Sequence, residues 1–134
     1  MIEERSAGAI LYQESSEGKL YLLLNYPTGH WDFVKGNIEK DETLKQTVLR
    51  EIREETGITD ISFVEGFEDK VEYHYQRDGE LVHKEVVFFL AKTTTNDVIL
   101  SHEHLDFIWL KFDQALQKLT YKTAQRLLGK VKDL

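Results

Sequence analysis

The sequence predicts an α/β domain in which helices pack on a mixed sheet. Two observations lead there. Strand-like apolar runs come first and are interrupted by one helix of 3.6-residue period; further strands then precede two short terminal helices. No repeat, low-complexity tract or linker breaks the chain, so residues 1–134 are expected to form one domain around a single core.

In order, "AGAILY" (7–12) fits a buried strand, and "SSEGK" (15–19) supplies the turn of a hairpin whose second strand is "LYLLLNY" (20–26). "YPTGH" (26–30), with the only proline, is a loop, and "WDFV" (31–34) is a short aromatic strand ahead of Lys35-Gly36. From Asp41 to Thr56 the period turns helical: Leu44, Val48 and Ile52 are spaced at i, i+4 and i+8, and Leu49 widens the stripe. Asp41 or Thr43 can cap the start of this helix, and Gly57 suits the left-handed position past its end. Strands are expected at 61–66, 70–76 and 82–91, the last two joined at Arg77-Asp78-Gly79. "FIWL" (107–110) closes the strands, and helices follow at 112–119 and 121–131.

Composition excludes several chemistries. No cysteine means no disulfide, thiolate metal site or cysteine nucleophile, which fits a cytoplasmic location. No apolar run approaches the ~18 residues of a membrane span, and the acidic start "MIEERSAGAILY" does not read as a targeting segment. A formal net charge of −7 argues against an extended nucleic-acid surface but not against a nucleotide. Divalent cations and a few local Lys or Arg residues would let such a chain hold a polyphosphate.

The helix carries the chemistry. At 100° per residue, Glu54 lies at about 300° and Glu55 at about 40° from Glu51, so the three share one face. That face adjoins the Leu44–Val48–Ile52 flank, whereas charge placed for solubility would lie opposite it. Like charges within one turn cost roughly 0.2–0.5 kcal/mol per exposed pair, and more when partly buried. A hard cation such as Mg²⁺ or Mn²⁺, which prefers oxygen ligands, removes that cost. Arg50 is placed to pair with Glu54 at i+4.

The spacing is more specific still. Gly36, Glu42 and the run Arg50-Glu51-Ile52-Arg53-Glu54-Glu55-Thr56-Gly57-Ile58 resemble the complete Nudix box, G-x5-E-x7-R-E-U-x-E-E-x-G-U with U aliphatic. The resemblance implies the Nudix α/β/α fold, a mixed sheet sandwiched between helices, and metal-dependent hydrolysis of a nucleoside diphosphate linked to another group. It implies Glu51, Glu54 and Glu55 as metal ligands, with a backbone carbonyl near Lys35 or Gly36 as a further one, and Glu54 or Glu51 as the base. Gly36, Glu42, Arg50 and Gly57 take structural roles.

The flanks are similar to the asymmetric diadenosine tetraphosphate hydrolases. The matching stretches are "HWDFVKGNIE" (30–39), "VEGF" (64–67), "KEVVFFLA" (84–91), "LSHEHLDFIWL" (100–110) and "LTY" (119–121). This similarity implies Lys35 and Lys84 at the phosphates, Tyr73 and Tyr121 sandwiching an adenine, and Tyr75 in reserve on the strand face of Tyr73. Glu103 is implied as a further metal-binding or base carboxylate. His102 and His104 beside it are expected at the surface or behind the ligands, and His30 either at a phosphate or in loop packing. Val34 and Asn37 stand where that group has proline and histidine, and a loop at 76–83 is longer than the resemblance implies. The leading expectation is Mg²⁺-dependent cleavage of diadenosine tetraphosphate to ATP and AMP. Alternatives are a pyrophosphohydrolase of RNA 5′ ends or nucleoside triphosphates, and a non-catalytic nucleotide-binding module. The sequence leaves the oligomeric state open.

Overall fold

The computed structural model describes residues 1–134. The elements run β1 (Ile2–Ser15), β2 (Gly18–Asn25), β3 (Trp31–Asp32), β4 (Val34–Asn37), α1 (Leu44–Thr56), β5 (Ser62–Arg77), β6 (Glu80–Lys92), β7 (Asp106–Leu110), α2 (Phe112–Lys118) and α3 (Lys122–Lys130). All seven strands join one sheet, ordered β3-β2-β1-β6-β5, with β4 on β1 and β7 on β2. Only β1 and β6 pair in parallel, from Ile2↔Val82 to Tyr12↔Lys92, so the sheet is mixed as expected.

One local feature builds the site. β1 and β2 pair from Ser15↔Gly18 only as far as Tyr12↔Tyr21. Beyond that fork β4 pairs with Ser6–Ala9 of β1, and β3 pairs with Leu24 and Asn25 of β2. Residues 31–37 therefore fill the opening between the two hairpin strands and are fixed from both sides.

Side-chain alternation along β1 then divides the apolar packing between two faces. Ile10 and Tyr12 join a cluster that includes Ala115, Leu119, Leu127 and Leu128 of the C-terminal helical segment. Ala9 and Leu11 join a second cluster with Val48 and Ile52 of α1. The expected single core is thus two half-cores, one on each face of the sheet. Burial on both faces is also why these strands read as continuous apolar runs.

The helix begins at Leu44, with Thr43 rather than Asp41 as its cap: Gln46 N–H donates to Thr43 Oγ1 (3.1 Å), and Thr43 N–H to Gln46 Oε1 (2.9 Å). Gly57 takes φ 78° and returns its N–H to Arg53 O. Leu49 is exposed, so it does not widen the stripe, while Thr47, Glu55 and Thr56 are buried. The two strands expected at 61–66 and 70–76 form one strand, β5, with a register shift between Phe63 and Glu68. Nor is 76–83 a loop: pairing continues to Arg77↔Glu80 around a two-residue turn, with Asp78 at φ 51° and Gly79 at φ 81°. No helix is long and apolar enough to cross a membrane.

Candidate active site

Gly36 on β4 faces Glu51 on α1. A Cβ at Gly36 would lie 2.0 Å from the Glu51 Cδ and 2.1 Å from its Oε1. Strand and carboxylate can come this close only because residue 36 has no side chain.

Arg50 ties the loop before α1 to the helix. Its Nε donates to Glu42 Oε2 (2.7 Å), and its Nη2 to Glu42 Oε1 (3.0 Å) and to the Asn37 carbonyl (2.9 Å). Glu42 Oε1 also accepts from Glu39 N–H (2.9 Å) and Thr47 Oγ1 (2.8 Å). The guanidinium hydrogen bonds, the first of several contacts, hold the Glu42 carboxyl down to about 2. From the same guanidinium, Nη1 reaches Glu51 Oε1 (2.7 Å) and Glu54 Oε2 (3.2 Å). One arginine therefore anchors the loop and sets the rotamers of two of the acidic residues.

Glu55 differs from its neighbours in being buried, at 3% exposure. Burial first, then the adjacent Glu51, with Glu103 and Glu54 adding, pushes its carboxyl up to about 10. His104 Nε2 lies 2.9 Å from Glu55 Oε1, while Oε2 is buried with no hydrogen-bond partner.

Two cavities adjoin here. The smaller, about 310 Å³, is polar and is lined by Glu51, Glu55, Glu103 and His104 together with Lys35, Gly36, Asn37, Glu39 and Tyr26. The larger, about 570 Å³, is mostly apolar: Val71, Tyr73, Val86 and Phe88 of the sheet face Tyr121, Thr123, Ala124 and Leu127, with His30 and Asp32 at one side. Tyr26 and Lys35 line both cavities. Lys35 Nζ pairs with the buried Asp32 at 3.1 Å, which holds its amine at the junction. Tyr26 donates its hydroxyl to Phe33 O (2.6 Å), stacks on His30 at 4.6 Å and meets His104 edge-on at 4.7 Å.

Of the residues singled out in the sequence, the structure gathers Glu51, Glu55, Glu103, Lys35, His30, Tyr73 and Tyr121 around these two spaces. Glu54 sits beside them, its side chain 54% exposed and held by Arg50. Tyr75 and Lys84 line neither cavity. The Tyr75 hydroxyl is committed to Glu4 Oε1, and Lys84 Nζ to Asn37 Oδ1 (3.1 Å), with Glu4 at 3.7 Å. His102 is exposed, whereas His104 is buried behind the acidic cavity. Tyr26, at the junction of the expected strand 20–26 and loop 26–30, is not among the site residues that the sequence singles out. Its single sequence signal, an aromatic before Pro27, does not distinguish a partition between cavities from packing.

No three His, Asp or Glu side chains are close enough to hold a metal ion unaided. The donor set nevertheless suits one kind of ion. Several carboxylates share a cavity with the unpartnered Glu55 Oε2, and a hard divalent cation such as Mg²⁺ is commonly held by one or two carboxylates, with water and substrate phosphates completing its shell.

Comparison with known proteins identifies the family. A family model described as a NUDIX domain matches residues 3–130. The asymmetrical bis(5′-nucleosyl)-tetraphosphatase of Caenorhabditis elegans is 32% identical over 130 residues, covering 94% of this chain and 92% of that protein. The Sus scrofa enzyme of the same name is 32% identical over 136 residues, covering 92% and 90% respectively. A crystal structure of a C. elegans Ap4A hydrolase binary complex superposes with a TM-score of 0.84 at 30% identity, over 96% of this chain and 94% of that one.

Proposed function

This chain belongs to the NUDIX family, and on that premise we propose that it cuts diadenosine tetraphosphate asymmetrically, into ATP and AMP. The observation that carries this reading is the pair of cavities meeting at Lys35 and Tyr26. A nucleotide has a flat apolar end and a polyanionic end, and the cleft has a matching compartment for each. Tyr73 and Tyr121, both half-exposed at the mouth of the apolar cavity, are suited to stack on adenine, worth about 1–3 kcal/mol per base. Lys35 meets the phosphates where they leave the base cavity.

Glu51, Glu55 and Glu103 would hold the divalent cation, with Glu54 beside them; Mg²⁺ is the ion proposed. Such an ion, when bound, lowers the pKa of a coordinated water and offsets charge on bridging phosphates. Within the protein, Arg50 fixes Glu51 and Glu54 by hydrogen bonds, so that either carboxylate is placed to accept the proton of the attacking water. Lys35 compensates charge as the phosphorus–oxygen bond breaks.

Incubation with Mg²⁺ and diadenosine tetraphosphate, resolved by chromatography, is expected to give ATP and AMP in equal amounts. Two ADP, or no turnover while another nucleotide is cleaved, would overturn the reading. Tyr73→Ala is expected to raise KM roughly 5- to 100-fold, the equivalent of one lost stacking contact, while leaving kcat within a few-fold. An unchanged KM removes Tyr73 from the base site.

A further inference from the structure

The loop between β6 and β7 brings Ser101, Glu103 and His104 against the C-terminal turn of α1. Ile99 N–H donates to Thr56 O (2.9 Å), and Ser101 N–H to the main-chain carbonyl of Glu55 itself (3.3 Å). The side chains then form a directed chain. Ser101 Oγ accepts Glu103 N–H (3.3 Å) and lies 3.2 Å from His104 Nδ1, to which its hydroxyl can donate. An imidazole whose Nδ1 accepts carries its proton on Nε2. That nitrogen is 2.9 Å from Glu55 Oε1, and the edge-on ring of Tyr26, with centroids 4.7 Å apart, closes the open side of the imidazole. The result is that Oε1 is occupied and Oε2 is the one oxygen of Glu55 without a hydrogen-bond partner.

We propose that His104 is the positioning residue for the metal-binding carboxylate Glu55, its Nε2–H engaging Oε1 so that Oε2 is presented to the cation, with Ser101 fixing the tautomer that makes this possible. This rests on the reading that Glu55 binds metal. Partners behind a ligand fix its orientation, and their loss commonly costs 10–100-fold in metal affinity.

The test is Mn²⁺ affinity without substrate, read from the paramagnetic resonance of free Mn²⁺, in variants whose folding is checked by circular dichroism. His104→Gln places an amide N–H near Nε2 and is expected to bind Mn²⁺ within about 3-fold of wild type. His104→Asn, whose amide ends nearer the Nδ1 position, is expected to lose roughly 10–100-fold while remaining folded. In a Glu55→Gln background, His104→Asn should cost nothing further, because its effect passes through Glu55. Equal affinity in His104→Asn and wild type, equal loss in the Gln and Asn variants, or a full additional loss on top of Glu55→Gln overturns the proposal. If Glu55→Gln alone leaves Mn²⁺ affinity unchanged, the metal reading of Glu55 fails and this inference with it. Failure of His104→Asn alone leaves that reading standing.

Discussion

Replacing Glu55 with glutamine is expected to cut kcat on the order of 10²–10³-fold, the size of losing one electrostatic contact to developing charge, and at the same time to make the metal-free protein more heat-stable. The two effects share a cause. Glu55 is buried among Glu51, Glu103 and Glu54, and its carboxyl is pushed up to about 10. An unfolded chain would release that proton near 4.5. Between those values the folded state holds a proton that the unfolded state has lost, so stability is greatest below 4.5 and declines as pH rises toward about 10. Glutamine keeps the shape and has no proton to lose. Thermal unfolding in chelator at pH 5, 7 and 9 should therefore show a Tm gain for Glu55→Gln that widens with pH. Adding Mg²⁺ should raise the Tm of wild type and leave that of the variant nearly unchanged. A Tm difference independent of pH, or near-wild-type turnover, would show that Glu55 is not the strained carboxylate of the site.

The helix half of this site was legible in the sequence because helical period is local. Glu51, Glu54 and Glu55 fall on one face next to the apolar flank by arithmetic alone, and Val48 and Ile52 are fully buried where that arithmetic places them. The same arithmetic could not separate the three glutamates. Which one is buried depends on the loop carrying His104, some fifty residues later in the chain, and not on position along the helix. Leu49 departs from the expected stripe for the same reason: an apolar residue at the edge of a stripe is covered only if a neighbouring element reaches it, and Leu49 stays exposed. Strand extents were harder. Ile2–Arg5 has one apolar residue and three charged ones, and along it half-buried and exposed positions alternate, so composition there resembles a tail. The 76–83 segment, expected as a long loop from the resemblance, instead pairs across two strands as far as Arg77↔Glu80.

Arg50→Ala is expected to be the most damaging single change in the site, lowering Tm by roughly 5–15 °C and kcat on the order of 10²-fold or more. Its side chain is 14% exposed and ends among Glu39, Glu42, Glu51 and Glu54. Removing the guanidinium leaves Glu42 without its cation, the Asn37 carbonyl without its donor and two acidic side chains without the contact that sets their rotamers. Lysine should rescue only part of this, because one ammonium cannot serve Glu42, Asn37 O and Glu51 from the directions that the planar fork covers. The Glu42 partner separates structure from chemistry. Glu42→Gln touches none of Glu51, Glu54, Glu55 and Glu103, so it should lower Tm with a smaller loss of kcat. It should also flatten the acid limb of stability: a carboxyl held down to about 2 stabilises the fold above its ordinary 4.5 and loses that contribution as pH falls toward 2. In the Arg50→Ala background, Glu42→Gln should cost nothing more, since the partner it would lose is already gone. Fully additive Tm losses would mean that the two residues support the fold separately, and that the loop at 37–42 reaches the helix by some other contact.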